Sequence, residues 1–299
     1  MRKSLKPFLI VFVIAVLALS GIALWKVYSE KEPNYKGKPL AFWLWGYDRG
    51  TYSASHPNGP SAPTLAEANE AVRAMGTNTI PVLLQMLEQE SPWRTRFRKM
   101  LWHLSKAHFP MQYPGSKALG AFHAFNHGDA SNAVPALIKI MQNDRGPFQQ
   151  TACPDVLAWI GPPAEPAIPA LLQAATHTNA IVRNNAVYAL GRIHARPELV
   201  LPALTKCLKD TDPQVQMQAA GALKAFGRQA QPAVPALIRL WRTPPTMSTK
   251  PGTTLISYFG TLVAGRWLPS GGSNPAVAVS AADAIKAIDP ESAAAAGIK

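Results

Sequence analysis

The chain has 299 residues, of which 47% are apolar and only 16% are charged, so it can bury a large core and does not read as disordered. Its formal net charge of +13 favours acidic partners such as nucleic acid, anionic lipid or acidic polypeptide, with simple solubility as the alternative. The only two cysteines, Cys153 and Cys207, exclude a disulfide framework or a zinc-binding cysteine cluster. Both fall in apolar helical stretches, where we expect buried structural thiols.

Residues 1–29 have the pattern of a membrane anchor. Three basic residues among the first six precede an apolar run from Phe8 to Trp25. As a helix this run would be about 27 Å long, close to the bilayer hydrocarbon thickness of about 30 Å. The preceding cations predict a single-pass protein with a cytoplasmic N-terminus and a body exported to the periplasmic or extracellular side. Signal-peptide cleavage near Ala18 or Ser20, followed by secretion, is the alternative.

Residues 30–63 are predicted to form a linker and an N-terminal capping segment. Within them, Pro39 can start a helix that presents Leu40, Trp43 and Leu44 together. We expect these apolar side chains to dock on the first helices of the body.

A proline motif recurs along the rest of the chain: an apolar residue, then Pro, then Ala or Val, then Leu. Its prolines are 54, 34, 33 and 33 residues apart. Proline at a helix start has its φ angle pre-set and lacks only an N–H that would be unbonded there. Each motif therefore predicts the start of a short helix, here called an A helix. The five motifs begin at Ile80, Val134, Ile168, Leu201 and Val234.

A second pattern lies between these motifs and predicts the B helices. It places core residues at offsets 0, +4, +8 and +11, usually with a small residue at +4, as in Val182, Ala186, Leu190 and Ile193. These offsets share one helical face. The same pattern starts at Thr64, Trp93, Pro114, Gln149, Val215 and Val277, and the glycines that follow it at positions 76, 161 and 227 are helix-ending signals.

The alternation of A and B helices resembles the HEAT-repeat family in its short, membrane-anchored bacterial form. The resemblance implies an all-α, right-handed α-solenoid of about five helix pairs over residues 64–290, with the B helices lining its concave side. Family ladders built on a B-helix arginine are in doubt, because this chain keeps only Arg183 and has Gln216 and Ala278 elsewhere. The matching fragments are Val182-Arg183, Asp212 to Val215 with Ala219-Ala220, and Asn274 to Val277 with Ala281-Ala282.

Two interruptions break the period. The 54-residue step includes residues 107–115 and indicates a distorted repeat with an extra B-like helix near 116–126. An insertion at 243–273, rich in Pro, Thr and Gly, is expected to form a loop or an extra helix. Residues 291–299 are predicted to be a C-terminal tail.

The sequence contains no catalytic constellation. It has no glycine-rich phosphate loop, no nucleophile elbow and no haem-attachment motif. His123 and His127 are four residues apart and could face one metal ion, but no third ligand stands near them. We therefore predict a protein that is not an enzyme and that has no metal site and no cofactor.

The predicted function is a non-catalytic protein-interaction scaffold anchored to the membrane. Segments 91–127 and 213–282 contain basic residues and no acidic ones, which favours a protein or acidic peptide partner on the concave side. The alternative is a basic module that binds nucleic acid or another anionic polymer, and the membrane segment argues against it. The candidate binding residues are Arg98, Lys99, Trp102, Asn184, Tyr188, Met217 and Lys224.

Overall fold

A computed structural model describes residues 32–47, 61–89, 114–143, 147–242, 262–263, 266–267 and 275–298. Almost all regular structure in these ranges is helical. The helices are α1 (Leu40–Trp43), α2 (Leu65–Met75), α3 (Ile80–Gln89), α4 (Pro114–Phe122), α5 (Val134–Gln142), α6 (Pro147–Ile160), α7 (Ile168–Ala174), α8 (Ala180–Ile193), α9 (Pro197–Cys207), α10 (Pro213–Phe226), α11 (Val234–Arg242), α12 (Pro275–Ile288) and α13 (Pro290–Ala295).

The helices alternate between two layers. The A layer contains α3, α5, α7, α9 and α11, and the B layer contains α4, α6, α8, α10 and α12. Each A helix packs on the B helix that follows it, and from α6 onward each B helix also packs on the next. A helix of two to four turns cannot bury its apolar face alone, so the stacked pairs share one continuous core. The prediction of an all-α solenoid with about five helix pairs is confirmed.

Four of the five A helices begin as the proline motif predicts. In α3, α5, α7 and α11 the apolar residue is the first helical residue and Pro is the second, after a short 3-10 turn. The fifth differs, because α9 begins at Pro197 and carries Pro202 in its interior. The predicted start at Leu201 was therefore wrong by four residues. Pro197 and Pro202 both fit the preference of proline for the first helical turn, so the motif alone does not show which of them starts the helix.

The ends of the B helices follow from local chemistry. The side chain of Asn179 caps α8, and that of Asp212 caps α10, by accepting hydrogen bonds from first-turn amides. The glycines at 76, 161 and 227 end their helices with positive φ angles, as predicted. His194 occupies the equivalent place after α8 with φ of 52°, and its ring stacks on Phe226 at a centroid distance of 4.4 Å. At this position a histidine that stacks on the next repeat adopts the positive φ angle that glycine adopts after the other B helices.

Arg183 links two consecutive repeats. Its Nε and Nη2 atoms donate to the two carboxylate oxygens of Asp210, both at 2.7 Å, and its Nη1 donates to the backbone oxygens of His177 and Thr178. In the next repeat Gln216 replaces the arginine and donates to the backbone oxygen of Asp210 at 2.6 Å. Arg183 and Gln216 therefore each donate to the turn that precedes their own B helix, although glutamine makes only one of arginine's contacts.

The N-terminal segment is docked on the first helices. Leu40, Trp43 and Leu44 are buried, as the proline at position 39 led us to expect. A two-stranded antiparallel pairing, β1 (Asn34–Tyr35) with β2 (Lys38–Pro39), precedes them. Tyr47 donates its hydroxyl to Asn69 at 2.8 Å, and a Cβ on Gly120 would lie only 2.7 Å from its ring. The segment thus packs against α2 and α4 at one end of the described apolar core.

The two interruptions are described in part. The predicted helix near 116–126 is present as α4 and packs on α3, so it completes that pair, and the B helix predicted from Trp93 lies outside the described residues. Within the insertion, the four described residues form an antiparallel pairing of β3 (Leu262–Val263) with β4 (Arg266–Trp267), and the rest of 243–273 lies outside the described residues. Packed structure continues past residue 290, because α13 contacts α12 and Ala293 and Ile298 are buried.

No helix in the described ranges is both long and apolar enough to span a membrane. The apolar run from Phe8 to Trp25 lies outside those ranges.

Candidate functional site

The B layer has one face that points away from both the A helices and the neighbouring B helices. On α8, Asn185 points toward α6, where its Nδ2 donates to the backbone oxygen of Thr151 at 3.0 Å. Gly191 points toward α10, since a Cβ there would lie 2.8 Å from the Cβ of Ala222. The direction between these two contacts faces solvent. We call it the B-layer face and define it by nine exposed or half-buried residues at offsets +2, +6 and +9 or +10 of three helices: Asn184, Tyr188 and Arg192 on α8, Met217, Gly221 and Lys224 on α10, and Val279, Asp283 and Lys286 on α12.

Four predicted site residues lie on this face. Tyr188 and Lys224 are exposed, and Asn184 and Met217 are half-buried. Because α8 and α10 are adjacent, the structure brings these four side chains onto one continuous surface. The other three predicted residues, Arg98, Lys99 and Trp102, lie outside the described residues.

Tyr188 is the prominent aromatic residue of the B-layer face. It is 38% exposed and makes no hydrogen bond, ion pair or ring contact within the described part of the chain. An exposed tyrosine offers a large rigid apolar surface and a hydroxyl free to bond with another molecule, which is why tyrosine is enriched at binding hot spots.

Gly221 leaves an open space beside Tyr188. It lies inside α10, where glycine is less favourable than alanine by about 1 kcal/mol. Packing explains Gly191, whose Cβ would clash, but a Cβ on Gly221 would meet nothing within 4 Å. No described neighbour requires the glycine, and without a side chain the α10 backbone is open to close approach at this position.

The sequence motifs do not distinguish Gly221, Lys286 or Arg192 as candidate binding residues. All three nevertheless occupy outer offsets of the B-helix pattern, Gly221 at +6, Lys286 at +9 and Arg192 at +10. The missing information was which of those side chains remain without a partner, and that depends on contacts between repeats.

The two histidines proposed as a pair serve packing. His127 Nδ1 donates to the backbone oxygen of Trp159 at 2.5 Å, and His123 Nε2 lies 3.1 Å from the carboxylate of Asp155. The indole of Trp159 lies against both imidazoles and donates to the Phe125 backbone oxygen at 3.0 Å. These contacts fasten the turn after α4 to α6. Among the described residues, no group of three or more His, Cys, Asp or Glu side chains is placed to hold a metal ion.

Both cysteines are buried, as predicted. Burial in the apolar core raises the pKa of the Cys153 thiol to about 12 and also raises the pKa of Cys207. A thiol with a raised pKa carries little thiolate at neutral pH, and thiolate is the reactive form.

Comparison with known proteins gives a match to a family profile and likenesses among solved structures. The profile of HEAT repeats matches residues 168–248, which span α7 to α11. Among solved structures, the crystal structure of an engineered protein from the Northeast Structural Genomics Consortium is similar at 18% sequence identity and a TM-score of 0.40, with 77% of this chain and 93% of that chain covered. No curated protein matches the chain.

Proposed function

Since residues 168–248 match the profile of HEAT repeats, we propose that the chain is a HEAT-repeat, non-catalytic scaffold, held at a membrane by its N-terminal segment, that binds a partner protein on the B-layer face. The observation that carries the proposal is the position of Tyr188 and Gly221 at the same offset on adjacent helices. Tyr188 is an exposed aromatic residue without a partner among the described residues, and Gly221 is a helical glycine that no described neighbour requires. Their neighbour Met217 adds a half-buried, adaptable apolar contact.

A photo-crosslinking experiment tests the face. Full-length protein carrying p-benzoylphenylalanine in place of Tyr188 is expected to capture its partner from native membranes. The same replacement at Leu199 is the matched control, because Leu199 is also an exposed apolar residue, at 42%, but lies on α9 in the A layer. Capture from position 199 and not from position 188 would place the partner on the other layer and refute the proposal.

Once the partner is identified, affinity measurement makes the test quantitative. Tyr188→Ala is expected to weaken binding by about 2 kcal/mol or more, roughly 30-fold, as for an aromatic hot spot. Leu199→Ala is expected to leave binding unchanged. Equal affinities for the parent and both variants would show that the tyrosine is an ordinary solvated side chain. If duplex DNA binds the parent instead, with an affinity that falls steeply as salt rises, the nucleic-acid alternative is favoured.

The membrane-anchored arrangement is supported by Arg2, Lys3 and Lys6 ahead of the apolar run that ends at Trp25. The docked N-terminal segment is described from Glu32, only seven residues beyond Trp25. Seven extended residues reach at most about 25 Å, so the α1 end of the solenoid would stay close to the bilayer and the α13 end would project away from it.

Protease accessibility tests this topology. Protease added to intact spheroplasts is expected to digest the body, with detergent-permeabilised cells as the reference for complete access. A body that is protected in intact spheroplasts and digested only after permeabilisation would reverse the topology. The mass of the purified protein separates the retained anchor from the cleaved form, because cleavage near Ala18 or Ser20 would remove the segment.

A further inference from the structure

A row of cations crosses the B layer at one level. Arg192, Lys224 and Lys286 lie in the last turns of α8, α10 and α12, which pack side by side, and all three are exposed. Within the described part of the chain none of their side chains makes an ion pair or a hydrogen bond. Two other exposed cations of the body pair with carboxylates, Arg196 with Glu198 at 2.7 Å and Lys36 with Glu70 at 3.1 Å, whereas the exposed Lys206 and Lys209 on and after α9 make no such contact in the described residues. Arg192, Lys224 and Lys286, called the last-turn row, differ from those lysines in lying on the B layer, with Arg192 one turn after Tyr188 and Lys224 one turn after Gly221.

The spacing of the two lysines fits one backbone conformation. Packed helices lie about 8–10 Å apart, so Lys224 and Lys286, which share offset +9, recur at about that distance, whereas Arg192 at +10 is turned about 100° further around α8. A polyproline II segment rises about 3.1 Å per residue with three residues per turn, so every third side chain points the same way at intervals of about 9 Å. In a β-strand the third residue along points to the opposite side, and its charge would miss the row.

Asp283 discriminates among acidic partners. It lies one turn before Lys286 on the same helix and is exposed, with no ion pair in the described residues. A chain with a charge on every unit, such as a nucleic acid, would bring anionic groups against this carboxylate. A peptide with separated acidic residues can place an uncharged residue there.

We propose that the B-layer face binds an extended, polyproline II-like peptide segment that carries an acidic residue at every third position. Successive carboxylates pair with Lys224 and Lys286, a further carboxylate pairs with Arg192, and the peptide backbone crosses α10 at the open space over Gly221. Tyr188 packs against a residue between the acids. This inference rests on the proposed function and specifies the chemistry of the partner segment.

Fluorescence anisotropy with labelled peptides tests the register. The full-length chain, held in nanodiscs of zwitterionic lipid, is titrated against a proline-rich peptide with glutamate at every third position. The comparison peptide has the same composition with its glutamates in one block. The periodic peptide is expected to bind more tightly, and its affinity is expected to fall as salt rises. Equal binding of the two peptides overturns the register, and tighter binding of single-stranded DNA than of either peptide overturns the choice of partner.

Matched lysine variants locate the site. Lys224→Ala is expected to weaken the periodic peptide about two- to fivefold, the usual contribution of an exposed ion pair, and Lys224→Arg to keep most of the affinity. The control is Lys206→Ala, because Lys206 is also an exposed cation in the last turn of a helix, but of α9 in the A layer. Both alanine variants lose a favourable interaction with a helix C-terminus, so only a binding effect separates them. Equal affinities of the Lys224→Ala and Lys206→Ala variants would show that Lys224 interacts only with the C-terminus of its own helix, and would overturn the proposal.

The binding surface and the acidic register of the peptide are tested separately. If position 188 crosslinks a native partner while the periodic peptide has no advantage, the B-layer face is the binding surface and the acidic register is wrong. If neither position 188 nor the peptides give a signal, the proposed function on this face fails as well.

Discussion

Replacing Arg183 by alanine is expected to lower the free energy of unfolding by about 3 kcal/mol, the largest effect of any exchange proposed for this chain. The guanidinium and the Asp210 carboxylate are only 13% and 12% exposed, and the exchange leaves that carboxylate without its cation. The backbone oxygens of His177 and Thr178 also lose their donor. Because the contact joins the repeat of α7 and α8 to that of α9 and α10, the thermal transition is expected to broaden as well as shift.

Two variants define what Arg183 contributes. Arg183→Lys is expected to recover only part of the loss, since lysine cannot bond both carboxylate oxygens and two backbone oxygens with one planar group. Gln216→Ala is the matched control one repeat later, and it is expected to cost only about 1 kcal/mol because it removes one hydrogen bond. Chemical unfolding followed by far-UV circular dichroism measures all three. A loss at Arg183 no greater than that at Gln216 would show that the ion pair adds no stability.

The same pair predicts a pH dependence. Burial raises the pKa of Asp210, but hydrogen bonds from Arg183 and from backbone amides outweigh it and hold that pKa below its ordinary value. A carboxyl whose pKa is lowered by folding contributes stability that is complete above its unfolded pKa of about 3.9 and is lost as the pH falls through the folded value. The difference in unfolding free energy between the parent and Arg183→Ala is therefore expected to shrink below about pH 4. A difference that stays constant down to pH 2 would contradict this assignment.

Ala219→Leu is expected to destabilise the solenoid by about 1–3 kcal/mol. Ala219 is fully buried at the +4 position of α10, and the same position is fully buried in α6, α8 and α12. The added carbons have no space there, because α10 is enclosed by α8, α12 and its A-layer partner. The two B–B contacts of α10 are expected to loosen together.

Ala225→Leu is the control for this overpacking. Ala225 lies on the same helix with the same residue type but is exposed, so its replacement is expected to change stability by no more than about 0.5 kcal/mol. Thermal melting of the two variants and the parent separates a packing effect from a change in helix propensity. Equal melting temperatures for Ala219→Leu and Ala225→Leu would show that the +4 position tolerates a large side chain.

The sequence by itself determined the helices and their order. Proline fixes a local φ angle, and the apolar offsets 0, +4, +8 and +11 require only one helix for their definition, so both signals can be read without a partner. That is why α8, α10 and α12 fall where they were expected and why Tyr188, Met217 and Lys224 emerge on one face. It is also why α9 was misplaced, since two prolines in one stretch satisfy the same local rule.

Only the tertiary structure decided what depends on residues far apart in the chain. The partner of Arg183 is 27 residues away at Asp210, and α4 pairs with α3 across residues 90–113. Gly191 and Gly221 look alike in sequence, yet only the first is required by a neighbouring helix. The same holds for charge: the composition gives the number of cations, but contacts between repeats decide that Arg192, Lys224 and Lys286 have no partner among the described residues. Whether a side chain is free to bind another molecule is set by its neighbours in space, and the helical period of the sequence contains no information about those neighbours.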